Sequence, residues 1–111
     1  MTEHHKIIIA SESGVRIRTF SDISDAVSAS FGSAGLILSE QDVAPEFFDL
    51  RSGLAGELFQ KFTNYRLRLA LVVPEPEVYG ERFSELAYEH RSHRMIRFVQ
   101  SQDQAISWLN S

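Results

Sequence analysis

The hydrophobic positions fall into short blocks whose period alternates between strand-like and helix-like. Lys6 to Ala10 is a β-branched run, Ser11-Glu12-Ser13-Gly14 offers turn chemistry, and Val15 to Phe20 alternates with period two, which together predict a hairpin. Ser21 or Asp22 can cap a short helix running to about Phe31, with Ile23, Ala26, Val27 and Phe31 on one face. Leu36 to Ser39 reads as a short buried strand. From Pro45 to Arg66 comes the longest helical pattern, a stripe of Leu50, Leu54, Leu58, Phe62 and Tyr65 widened by Ala55 and Phe59. Arg68 to Val73 predicts a second buried strand ended by Pro74 and Pro76, and Val78 to Arg94 an amphipathic helix through Phe83, Leu86 and Ala87. Met95 to Val99 reads as the last strand. Ser101, with Gln104 three residues on, opens a closing helix that carries Ile106, Trp108 and Leu109.

The order ββαβαβαβα predicts an α/β fold with a mixed sheet of about five strands and about four helices, parallel except at the N-terminal hairpin. No repeat, low-complexity tract or linker interrupts it, so residues 1–111 are expected to form a single domain. A chain of 111 residues, 43% of them hydrophobic, can bury a core without a disulfide or metal staple.

Charge and cysteine usage narrow the function classes. The absence of Cys excludes disulfides, thiolate metal sites and a cysteine nucleophile, and fits a reducing cytoplasm. Eleven Lys and Arg against fifteen Asp and Glu give a net charge of −4, the wrong sign for binding nucleic acid or anionic lipid. No apolar run is long enough to span a bilayer, and Met1 to Lys6 lacks a signal-peptide core. A soluble cytoplasmic domain is the expectation.

The chemistry-bearing motifs are sparse. G-x-G-x-x-G, the Lys-bearing P-loop and the G-x-S-x-G elbow are all missing. The histidines are His4, His5, His90 and His93; the last two, at i and i+3 beside Glu89, could face a metal, but no third ligand is apparent, and with Arg91 and Arg94 they suit a helix C-terminus. Glu40, Asp42, Glu46, Asp49 and Glu57 cluster in sequence as carboxylates for acid–base work or, alternatively, for capping. Arg16 with Arg18, and Arg66 with Arg68, read as solvated strand edges in preference to the alternative, an anion groove. Gly53 and Gly56 inside a helical pattern ask for compensation, either close backbone packing or a ligand or partner at the helix start. These signals predict a protein that is no enzyme and holds no cofactor and no metal.

Leu38-Ser39-Glu40, Glu46 to Leu50, Ser52 to Glu57, Gln60-Lys61-Phe62, Asn64-Tyr65-Arg66 and Leu69-Ala70 resemble a bacterial family described only as a domain of unknown function, number 4180. A more distant resemblance is to STAS domains, the sulfate transporter and anti-sigma factor antagonist fold. There an Asp-Ser-Ser-Gly-Leu-like loop opens a helix and its Ser is phosphorylated by a partner kinase. Asp49 to Leu54 is similar, which marks Ser52 as the phosphoacceptor to test. The resemblance implies a regulatory module that binds a protein partner through Glu46, Phe47, Phe48, Asp49, Arg51, Ser52, Gly53, Gly56 and Glu57, with Phe47 or Phe48 as anchor. The alternative is a small-molecule sensor or weak enzyme that receives an anion at Arg51, Lys61 and the same helix start. Homodimerisation through a helix face or the sheet edge is a third expectation.

Overall fold

A computed structural model describes residues 6–111. Four short apolar runs become strands β1 (Ile7–Ile9), β2 (Gly35–Ser39), β3 (Leu69–Val72) and β4 (Ile96–Val99). They form one sheet in the order β1-β2-β3-β4, every pair parallel. Side chains alternate across it, as the pleat demands. One face presents Leu36, Leu38, Leu69, Leu71, Ile96 and Phe98 to the main core, which is completed by helices α2 (Phe20–Ser30), α3 (Leu54–Asn64) and α4 (Glu81–Glu89). Three connecting helices on one face are what right-handed crossovers between consecutive neighbours require. The other face presents Ile37 and Ala70 to Ala105, Trp108 and Leu109 of the closing helix α5 (Gln102–Leu109). Gly35 lets α5 come this close: a Cβ there would stand 2.5 Å from Leu109 Cδ2 and 2.9 Å from the Arg68 carbonyl oxygen.

The hairpin expected over Lys6 to Phe20 is not formed, and among the described residues the sheet is parallel and four-stranded rather than mixed and five-stranded. Ile9 runs straight into a single turn, α1 (Ala10–Ser13), which Gly14 closes in the left-handed region at φ 76°. Val15 to Thr19 then crosses the carboxyl edge of the sheet. Ile17 N–H donates to the Asp42 carbonyl and its own carbonyl accepts from Ala44 N–H, so Ile17 pairs in parallel with Val43 instead of doubling back on β1. Polar neighbours had made the period-two pattern look like a full strand. Helix α2 starts two or three residues earlier than the Ser21 or Asp22 cap implied: Thr19 is the N-cap, and the Asp22 carboxylate accepts the Arg18 and Thr19 N–H groups.

The long helix expected over Pro45 to Arg66 is also divided. Tight 3₁₀ turns at Pro45–Phe48 and Leu50–Ser52 precede α3, and a third at Pro76–Tyr79 precedes α4. Side-chain competition for backbone N–H groups makes the breaks. Asp49 accepts from Arg51 N–H at 3.1 Å, Ser52 Oγ accepts from Leu54 N–H at 3.2 Å, and Gly53 turns left-handed at φ 79°. The last helix has the predicted cap, Ser101 Oγ accepting from Gln104 N–H. Among the described residues no helix is long and apolar enough to cross a membrane.

Candidate functional site

In open parallel sheets the loops beyond the carboxyl ends of the strands gather the variable chemistry. Here the carboxyl ends of β1 and β2 are tied together by Asp42. It is 2% exposed, and one carboxylate oxygen accepts from Ser39 N–H at 2.8 Å and Ser39 Oγ at 2.9 Å. The other meets Arg16 Nη1 at 3.3 Å, and the same nitrogen donates to the Ala10 and Val15 carbonyls. This carboxylate, expected for acid–base work or capping, is a fastener between β2, the turn after β1 and the crossing strand segment.

Beside it, two loops of distant sequence meet. Phe48 stacks on Tyr79 with centroids 3.7 Å apart and planes 5° from parallel, and the Tyr79 hydroxyl donates to the Glu40 carboxylate. Partial burial and the neighbouring Glu40 charge push the phenol up to about 12. Phe83 packs edge-on against both rings, and beneath it lie Phe47, Phe59 and Phe98. The aromatic stack therefore runs from the surface into the core. It floors an open cleft of about 830 Å³ whose rim carries Asp49, Arg51, Glu81 and Arg82. Against it, along α4, lies a second shallow hollow of about 780 Å³ lined by Glu77, Glu81, Glu85, Glu89 and Tyr88. Tyr88 is 65% exposed there.

Of the residues singled out in the sequence, Phe48, Asp49 and Arg51 line this cleft. Phe47 does not: it is 1% exposed and part of the core, so Phe48 alone can act as a surface anchor. Glu46 is exposed, and its carbonyl accepts from the Ser52 hydroxyl at 2.7 Å, which ties one 3₁₀ turn to the next. Gly53 is the left-handed N-cap of α3, with the Phe20 ring 3.8 Å from where a Cβ would sit. Gly56 has nothing within 4 Å of that position, so close packing does not account for it. Glu57 faces Lys61 at 4.0 Å along α3, whereas Arg51 pairs with Asp49 at 3.3 Å. Lys61 lines a groove with α2 and Arg51 lines the cleft, so the anion site expected between them is not assembled.

The histidine pair is occupied locally. His93 Nδ1 accepts from Met95 and Ile96 N–H, and His90 Nδ1 bonds the Leu86 carbonyl oxygen. Burial, then the charges of His90 and Arg97, hold His93 below the usual histidine range. No cluster of three or more His, Cys, Asp or Glu suited to a metal occurs among the described residues, and the His4-His5 pair lies outside them. Tyr79, Glu81 and Arg82 were missed in the sequence. They sit some thirty residues from Phe48, and only the parallel pairing of β2 with β3 makes them neighbours.

Compared with known proteins, residues 2–109 match the family described as a domain of unknown function, DUF4180. No curated protein and no solved structure gives a significant match.

Proposed function

Since the chain belongs to the DUF4180 family, its function has to be argued from the site, and we propose that it is a cytoplasmic regulatory module that binds a protein partner at the carboxyl edge of the sheet. The observation that carries this reading is the Phe48–Tyr79 stack, which joins two loops into a preformed cleft with an apolar floor and a charged rim. An anchor of that kind, ringed by polar groups, has the anatomy of an interface hot spot. Continuity with the acidic side of α4 gives the partner its chemistry: a segment with an aromatic or aliphatic anchor followed by Lys or Arg.

Ser52 supplies the switch in this proposal, and here the likeness to anti-sigma factor antagonists enters. A phosphate on its oxygen would remove the hydrogen bond to the Glu46 carbonyl and add about −1.5 to −2 charge beside the cleft rim. The loosened Pro45–Phe48 turn would move Phe48.

Charge reversal tests the docking surface without touching the core. Glu81→Lys combined with Glu85→Lys should lose a partner captured by the wild-type domain from its own cells, while Asp25→Lys combined with Asp103→Lys keeps it. All four positions are exposed. Equal capture by both double variants contradicts the assignment.

A further inference from the structure

On the opposite edge of the sheet lies a hollow with a different chemistry. Arg66, Arg68, Arg94 and Arg97, with Met95, Trp108 and Ser111, surround about 440 Å³ where the amino ends of β3 and β4 meet the end of α5. This places four of the chain's eleven basic residues in one hollow of a protein whose net charge is −4. Its lining contains no carboxylate side chain. The ion pairs found among the described residues involve Arg16, Arg51 and Lys61, and none of these four.

Two of the guanidiniums have structural work that accounts for them. Arg68 Nη1 donates to the Trp108 and Leu109 carbonyls at 3.3 and 3.4 Å, where a cation suits the negative end of α5. Arg97 donates to the His93 and Ser92 carbonyls. Both lie 4.7 Å from the Trp108 ring. Burial, and after it the nearby Arg97 charge, hold Arg68 below the usual arginine range.

Arg66 and Arg94 have no such work; both are exposed and neither side chain makes a hydrogen bond among the described residues. Arg66 also occupies a position made for glycine. Helix α3 ends in a Schellman motif, Leu67 N–H donating to the Phe62 carbonyl and Arg66 N–H to the Thr63 carbonyl, with Arg66 left-handed at φ 56°. A side chain there is held against the backbone preference.

We propose that this hollow is a binding site for a small, multiply charged oxyanion, bearing phosphoryl or carboxylate groups, that the guanidiniums of Arg66 and Arg94 close upon and those of Arg68 and Arg97 receive. Arginine's planar donor fork matches such oxygens two at a time. The site is separate from the aromatic cleft and does not depend on it.

Trp108 is the chain's single tryptophan and lies at the site, so its fluorescence reports binding directly. The probes are pyrophosphate and citrate, each titrated at constant ionic strength against a sodium chloride control. Saturation by either, beyond the salt control, is the expected result, and the tighter probe identifies the preferred group. Arg94→Gln should weaken that binding at least fivefold with an unchanged melting temperature. Arg66→Gly should weaken it similarly while raising Tm by about 4 °C, because glycine relieves the left-handed position. A stabilised variant that loses binding separates recognition from folding. A fluorescence change that merely follows the salt control, or titrations identical in wild type and both variants, would overturn the assignment.

Discussion

Tyr79 joins the two loops of the cleft through one ring face and one hydroxyl, and both contacts leave a measurable trace. Its hydroxyl donates to Glu40, which only the neutral phenol can do, and its ionisation is pushed from the ordinary 10.0 up to about 12. A raised folded value means that the contribution to stability is fully present below pH 10 and is lost as pH rises through about 12. An ultraviolet absorbance titration should therefore show a late tyrosine step that Tyr79→Phe abolishes; a late step that persists in Tyr79→Phe would show that the Glu40 contact is not the cause. Phe47 and Phe48 show what single residues could reveal in advance. A regular helix or strand cannot bury two adjacent aromatics equally, so the sequence left two readings open, one ring displayed to a partner or both taken up by a loop. Which one depended on a 3₁₀ turn that no periodicity announces, and on Phe83 arriving from α4 to bury Phe47.

At the scale of elements, the buried faces were legible because apolar spacing reports directly on packing. The stripe Leu54, Ala55, Leu58, Phe59 and Phe62 is the buried face of α3. What spacing could not show was where α3 begins, since Asp49, Ser52 and Gly53 interrupt a pattern that continues across them. The N-terminal strand pair failed for a related reason: β-branched alternation describes an extended chain, and the long-range bonds of Ile17 to Asp42 and Ala44 decide its partner. Gly56 gives an element-level prediction. It is exposed, within α3, and open around its absent side chain. Gly56→Ala should stabilise the domain by about 0.5–1 kcal/mol through helix propensity alone. Urea unfolding checks this, and a destabilised variant would show that something requires the bare backbone.

At the scale of the whole molecule, the parallel sheet separates two chemistries. Its carboxyl edge carries the aromatic cleft and the acidic side of α4, and its amino edge carries the arginine hollow under α5. The net charge of −4 conceals this division because it averages over both edges. That is why the sequence pointed to the loop around Phe48, Asp49 and Arg51 but read Arg66 and Arg68 as solvated edge residues. The strand order that places Arg66 beside Arg94, and Tyr79 beside Phe48, is a property of the assembled sheet. The proposed binding role is tested most directly by hydrogen–deuterium exchange of the domain with and without its captured partner. The account predicts new protection in the segments around Pro45–Gly53 and Glu77–Glu85, with the groove between α2 and α3 around Phe31 and Tyr65 unchanged. Protection confined to that groove, with the two loops exchanging as freely as before, would contradict it.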